Sequence, residues 1–360
     1  MTDCTGGQTK ILRSDYDATG AFPVIDQGKE FSNGFTSDES KLYRGKIPLV
    51  LFGDHTREIK FVDQRFALGA DGVKALEPKP NLAAKFLYYY LLKSPVEARG
   101  YSRHFKYLKE KSVPLPPLPE QDRIVEILDQ ADALRQQRRQ ADAISQRILP
   151  ALFHEMFGDV RAAHENWPSK GITEVCWPRQ WPTISGKQLL PQGYPVFGAN
   201  GLIGYYDSFN HEHPTIAITC RGATCGTINL TPPNCYLTGN AMALDDLDES
   251  LVTQEFMIAF LESRGLQDVI TGAAQPQITR TNLEKVKIPL VPSDLLMKFT
   301  EGSKSLTSAR SNAATSVATL ETLFQTLLHR AFDGSLTANW REGLAKEVLQ
   351  EMARNANELP

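Results

Sequence analysis

Polar and apolar positions over residues 113–159 repeat at alternating steps of four and three. Ile127, Ala131, Leu134, Ala141, Ser145, Ile148 and Leu152 fall on one line, with Arg138 its polar exception. That spacing predicts the seam of a coiled coil. Pro114, Pro116, Pro117 and Pro119 stand just before it. They block an earlier helix and suit a first turn. Glu120 and Asp122 follow where the helix dipole favours negative charge, and Gly158 is a plausible stop. About 40 helical residues at 1.5 Å each give a rod of roughly 60 Å. Residues 135–140 read RQQRRQ, too polar for a core helix. A rod of this kind needs a partner rod.

The same plan recurs over residues 286–336. Ile288-Pro289-Leu290 echoes Val113-Pro114-Leu115, and Pro292, His329 and Phe332 match Pro117, His154 and Phe157 at a constant offset of 175. A fixed offset over this length marks an internal repeat of a whole module. Phe299, Gly302, Leu306, Ala309, Ala313, Val317, Leu320, Phe324, Leu327 and Ala331 form the second predicted seam, with Ser293 reading as its N-cap.

Between and before these rods the period changes. Residues 11–112 carry short apolar runs, Phe22 to Ile25, Ile47 to Phe52 and Ile59 to Val62, bounded by turn residues. Phe86 to Leu92 is the one clear helix, its aromatics predicted to pack in the core rather than to stack on bases. Residues 167–287 repeat this unit more loosely: Tyr194-Pro195-Val196 aligns with Phe22-Pro23-Val24, Ile228 with Ile59 and Phe256 with Phe86. Variable loops on a shared scaffold are where specificity resides. Asn339-Trp340 follows Phe332-Asp333-Gly334 much as Asn166-Trp167 follows Phe157-Gly158-Asp159. The tail from Asn339 is therefore expected to supply an edge of the first module.

The net charge of −3 hides an uneven distribution. Residues 41–113 hold fifteen Lys/Arg against seven Asp/Glu, whereas residues 160–292 hold nine against twelve. The first module is locally basic, which fits phosphate contact. The second must bind through a local patch or rely on a partner. The five cysteines form no CxxC pair. Cys220, Cys225 and Cys235 with His211 and His213 fit no standard zinc spacing, and buried free thiols in a reducing compartment are the simpler reading. No apolar run is long enough for a bilayer and MTDCTGGQTK is no signal peptide, so a cytoplasmic location without membrane contact is expected.

Catalytic motifs are missing. There is no GxxxxGK[ST] loop, no glycine-rich cofactor turn of the right spacing, and no nucleophile motif. The polar loops instead suggest binding. In the first module these are residues 52–57 (FGDHTR) and 101–111 (YSRHFKYLKEK), with His55, Thr56, Arg57, Arg103, His104 and Lys106 as candidates for DNA contact. In the second they are residues 198–204, 221–226 and 272–281, with Asn200, Arg221, Thr224, Gln275, Gln277, Thr279 and Arg280. Gln and Arg suit bidentate reading of adenine and guanine edges. Each loop could equally be a hydrogen-bonded turn or a solvated face.

With these residues assembled, the chain resembles the specificity subunits of type I restriction-modification enzymes over nearly its whole length. The carrying motifs are LPPLPEQ at 115–121 running into Arg123-Ile124-Val125, IPLVP at 288–292, FGDHT at 52–56, GADGVK at 69–74 and FDGSLTANWRE at 332–342. The resemblance implies an α+β fold: two mixed, mostly β target-recognition domains separated by two long antiparallel helices in a pseudo-two-fold internal repeat. The expected boundaries are residues 1–112 for the first domain, 113–159 for the central helix, 160–287 for the second domain, 288–336 for the distal helix and 337–360 for a tail completing the first domain. It implies a subunit with no catalysis and no cofactor of its own, reading a bipartite, asymmetric double-stranded DNA target. The partners implied are two methyltransferase subunits, which hold S-adenosylmethionine and modify adenine at N6, and translocating restriction subunits. Family members carry a longer Trp-bearing segment before the first domain; circularly permuted termini or a truncated first domain would each explain the short one here. Two readings compete with this: a single-chain DNA-modifying enzyme with an unrecognised active site, and a coiled-coil scaffold that does not read DNA.

Overall fold

The computed structural model describes residues 1–70, 72–100, 102–159, 167–199, 201–272 and 274–346. The chain divides into two compact units, Met1–Arg139 with Ser316–Pro360, and Gln140–Thr315. Both mix helix with short strands.

The first unit begins with β1 (Thr2–Asp3), β2 (Lys10–Ile11), β3 (Phe22–Ile25) and β4 (Gly34–Thr36). Then come β5 (Leu49–Gly53), β6 (Ile59–Val62), β7 (Ala67–Gly69), β8 (Val73–Glu77), α1 (Ala84–Lys93), α2 (Phe105–Lys109) and α3 (Leu118–Phe157). Two sheets form, in the orders β1-β8-β5-β6 and β2-β7-β3-β4. The runs at Phe22 and Ile59 become strands with the expected bounds. The basic stretch at 101–111, read as a loop, contains α2 instead, because Phe105 and Leu108 bury one face of it. The α1 aromatics are core: Phe86 and Tyr89 are buried, and the Tyr89 hydroxyl donates to Asp129 of α3 at 2.5 Å. Phe86 and Tyr90 pack against Phe332 at centroid distances of 5.2 and 5.3 Å.

The second unit adds β9 (Ser169–Gly171), α4 (Ile172–Val175), β10 (Trp177–Gln180), β11 (Tyr194–Gly198) and β12 (Gly201–Tyr206). It continues with β13 (Ile216–Thr219), β14 (Ile228–Leu230), β15 (Tyr236–Leu237), β16 (Ala241–Asp245), α5 (Gln254–Arg264), α6 (Arg280–Leu283), β17 (Lys287–Pro289) and the start of α7 (Ser293–Asp333). Its main sheet runs β10-β16-β13-β14, matching β1-β8-β5-β6, and β12-β11-β15 matches β4-β3-β7, parallel pair included. The repeat seen in the sequence is thus a repeat of topology. It is incomplete in two places. β2 pairs with β7, and no strand among the described residues takes that position beside β15. β17 pairs with β9, whereas the equivalent Val113-Pro114-Leu115 belongs to no strand among the described residues.

α3 and α7 are continuous helices of 40 and 41 residues, and each contributes to both units. Within each unit they run antiparallel. In the first, Arg135 bonds Glu321 at 2.7 Å while Glu120 meets Thr337; in the second, Arg310 bonds the Ser145 carbonyl while Phe157 packs edge-to-face with Phe299. Ser293, read as the N-cap, stands at the start of the α7 helical run instead, a one-residue difference.

The α3 seam differs from the expected one. Leu134 and Ile148 are 51% and 45% exposed, and Ala141 is exposed too. The buried line runs through Ile124, Leu128, Ala131, Arg135, Ser145, Leu149 and Phe153. It shares Ala131 and Ser145 with the predicted line, since steps of four and three admit two lines that meet at intervals. Arg135 decides between them. Its guanidinium lies 3.9 Å above the Phe324 ring and bonds Asp132 and Glu321, so a cation takes a seam position that apolar counting assigns to Leu134. On α7 most of the predicted seam holds, Gly302 facing Leu152 of α3 among it, but Ala309 is exposed and Arg310 takes its place.

The described part of the tail is helical from residue 338 to 346 rather than extended. It packs on the entry to α3, where Trp340 and Leu344 line an apolar groove with Pro117 and Pro119. It does not add a strand to either sheet of the first unit.

Candidate nucleic-acid interface

In the second unit three loops converge at one end of the main sheet. β13 ends at Thr219, whose hydroxyl donates to the Ala199 carbonyl at 2.8 Å. The next turn is tied to the third loop: Gly222 N–H donates to the Pro276 carbonyl at 3.1 Å, Ile278 N–H to the Cys220 carbonyl at 3.0 Å, and Arg221 and Gln277 form an antiparallel bridge. Thr271 and Gln277 exchange two backbone bonds of 2.9 and 2.8 Å, closing the third loop on itself. Gly272 makes that closure, with φ at +86° and a Cβ position only 2.5 Å from the Gln275 carbonyl. Several backbone bonds tie the loops together, and the side chains of Arg221, Thr224, Gln275 and Gln277 are exposed. Guanidinium and amide groups presented together suit base-edge reading.

Other expected contacts take different places. Thr279 caps α6, its hydroxyl accepting from Asn282 N–H at 3.2 Å. Arg280 is half-buried, its guanidinium 3.5 Å over the Trp177 ring. Asn200 lies outside the described residues.

The first unit builds its counterpart around Asp54, which follows β5 and is buried. Its carboxylate accepts from Phe105 N–H at 2.7 Å at the start of α2. Its carbonyl accepts from His104 N–H at 2.8 Å, and its N–H donates to Gly72 at 2.6 Å. The acidic residue of the FGDHT motif is therefore a clamp between three loops. Thr56 donates to the Gln27 carbonyl at 2.6 Å, and His55 N–H to the Gln27 side-chain oxygen at 3.2 Å. Lys60 fastens that same loop from beneath, its ammonium donating to the Asp26 and Glu30 carbonyls at 2.8 and 2.5 Å. Burial lowers the Lys60 pKa, and the charge of Asp26 opposes that shift.

Arg103 and Lys106 are exposed on this surface, as is Thr56, and His55 is half-buried. His104 corrects the expectation of a base contact. It is 1% exposed, with Nδ1 3.1 Å from the Asp54 carbonyl and Nε2 accepting from Arg99 N–H at 3.3 Å. A proton on Nδ1 fits both bonds, and the ring holds the loop from behind. Arg57 is likewise engaged: it sits at φ 66° and donates to the Val96 carbonyl at 3.2 Å. Sequence reading missed Gln27, because its role arises only when the loop after β3 folds against the turn after β5.

Cys176, Cys220 and Cys235 are buried, and burial raises their thiol pKa values, that of Cys176 to about 12. His211 is held by Asp245 at 2.9 Å and Asn210 at 2.6 Å. Among the described residues no helix is long and apolar enough to cross a membrane.

The comparisons with known proteins agree with this architecture. The family model for the type I restriction modification DNA specificity domain matches residues 4–142 and again 164–294. The EcoR124I/EcoR124II type I restriction enzyme specificity subunit of Escherichia coli is 33% identical over 137 residues, covering 34% of each chain. The EcoprrI specificity subunit of Escherichia coli is 25% identical over 129 residues, covering 34% of this chain and 31% of that one. The matched stretch thus spans about a third of these relatives' length. The crystal structure of a type I restriction-modification S subunit from M. genitalium superposes with a TM-score of 0.61 at 16% identity, over 90% of this chain and 92% of that one, which shows a shared fold. With the family model matching twice, once on each repeated module, the chain belongs to the type I restriction modification DNA specificity family.

Proposed function

We propose that this chain is the DNA-reading subunit of a type I restriction-modification complex and performs no chemistry itself. The observation that carries the reading is the loop cluster of the second unit, where Arg221, Gln275 and Gln277 are exposed on loops tied together by backbone bonds. The corresponding end of the first unit offers Thr56, Arg103 and Lys106. The two sets differ in residue type, so the target is asymmetric as well as bipartite. Half-sites about one helical turn apart lie roughly 34 Å from each other. Helices of 40 and 41 residues, each contributing to both units, are long enough to serve as such a spacer. Two methyltransferase subunits dock on the chain, bring S-adenosylmethionine and transfer its methyl group to adenine N6; restriction subunits join for cleavage. The chain works in the cytoplasm, where such partners and their DNA are found.

The test has two arms. Purified chain with methyltransferase subunits is selected against a random duplex library, and the expected result is a two-part motif with an unread gap. Purified chain alone is incubated with duplex DNA and labelled S-adenosylmethionine, and no transfer is expected. Transfer by the isolated chain would establish the single-chain enzyme instead, and binding without sequence preference would leave only a scaffold.

A further inference from the structure

The second unit is short of positive charge, with nine Lys/Arg against twelve Asp/Glu over residues 160–292. Two of those nine are held flat on tryptophans beside the loop cluster. The Arg280 guanidinium lies 3.5 Å from the Trp177 ring centroid and that of Arg179 lies 3.9 Å from the Trp181 centroid. Trp177 and Arg179 share β10, the outer strand of the sheet, and alternate positions of a strand face the same way. Both are exposed, Trp177 at 46%.

β10 touches the cluster at both ends. At its start Trp177 carries Arg280, which follows the capping Thr279 directly. At its finish the Gln180 amide donates to the Cys220 sulfur at 2.9 Å and the Gly239 carbonyl at 3.1 Å, and Cys220 precedes Arg221. The strand therefore flanks the exposed guanidinium and amide groups along one side. Trp181 is fixed in turn, its Nε1–H donating to Asp245 at 3.0 Å. Neither arginine forms an ion pair among the described residues. Arg264, by contrast, is engaged by Asp268 at 2.7 Å.

We infer that Arg179 and Arg280, stacked on Trp181 and Trp177 along β10, form a rail that grips the phosphate backbone of duplex DNA beside the base-reading loops. This rests on the proposed DNA-reading function and names the part of the second unit that supplies its electrostatic attachment. Stacking a guanidinium on an indole can leave its terminal N–H groups for phosphate oxygens and removes most of the freedom an unstacked arginine would lose on binding. In Arg280 the Nε is itself buried, so its terminal nitrogens would make the contact. Phosphate contacts of this kind fix register without reading sequence. Arg280 thereby moves from base reader to backbone clamp.

The full-length chain is titrated with a mixed-sequence 30-base-pair duplex at several salt concentrations. Each phosphate contact contributes about 0.9 to the slope of log affinity against log salt. Arg179→Gln with Arg280→Gln is expected to flatten the slope by about two and to weaken binding on the order of tenfold at low salt, equally for any sequence. Arg179→Lys with Arg280→Lys keeps the charge without the stacked fork, and should restore the slope but not the full affinity. Melting of each variant separates lost contact from lost fold. A wild-type slope in a folded glutamine variant would overturn the rail. So would a loss confined to one DNA sequence, or lost assembly with methyltransferase subunits at unchanged DNA affinity. A wild-type chain that binds no duplex would overturn the DNA-reading function itself.

Discussion

The Thr337 hydroxyl donates to the Glu120 carboxylate at 2.6 Å, across 217 residues of sequence, and Arg341 bonds the same oxygen. Glu120 opens α3, and Thr337 follows the end of α7. Both are buried, so the pair fastens the tail to the first turn of the central helix. Removing Thr337 leaves a buried charge with one partner fewer. Thr337→Val is expected to cost about 1.5–3 kcal/mol, the range for a hydrogen bond to a charged group. Deleting residues 338–360 keeps Thr337 but removes Arg341 from Glu120 and Trp340 and Leu344 from the groove, and should also destabilise the unit. Chemical denaturation of the three proteins measures this, and coincident transitions would show that the tail is not part of the unit.

The seam has a direct test. Leu128 is fully buried and Leu134 is half exposed, although each stands one step from Ala131, where the competing lines meet. Leu128→Ala should cost about 2–5 kcal/mol. Leu134→Ala should stay within roughly 0.5 kcal/mol, as surface substitutions do. The reverse order in denaturation midpoints would restore the line through Leu134.

Glu321 links the seam to pH. A hydrogen bond from Gln325 and the nearby Arg135 hold its carboxyl below the usual range, against the opposing pull of burial. A depressed carboxylate stabilises the fold above its unfolded pKa and loses that contribution as pH falls through the folded value. The stability gap between wild type and Glu321→Gln should be full at neutral pH and close in acid, below the ordinary glutamate range. Denaturation midpoints from pH 7 to 3 follow it, and a gap independent of pH would separate Glu321 from the charge of Arg135.

Gln277 tests the loop cluster. Gln277→Ala removes an exposed amide from a turn whose backbone bonds persist. Discrimination at one base pair of one half-site should fall by about 1–3 kcal/mol, the other half-site staying unchanged. Selection from a random duplex library reads both halves at once. A uniform loss across all positions would make Gln277 a backbone contact.

The spacer predicts a length effect. Adding one heptad to both α3 and α7 keeps their antiparallel seams in phase and lengthens each by about 10 Å. The preferred gap in the selected motif should widen while both half-sites persist. Altered half-sites with an unchanged gap would end the spacer model.

The sequence by itself determined the two long helices, their repeat, and the strands at Phe22 and Ile59, because each depends on short-range periodicity and on proline and turn chemistry. It also marked the three polar loops of the second unit, since glycine and small residues there leave Arg221, Gln275 and Gln277 as the conspicuous polar groups. Tertiary structure alone decided which of two lines on α3 faces its partner, because Arg135 becomes a seam residue only when Phe324 and Glu321 are present to receive it. It alone turned His104 inward, through contacts with Asp54 fifty residues earlier. And it alone brought Arg280 onto Trp177, a stacking between residues over a hundred positions apart that no local pattern encodes.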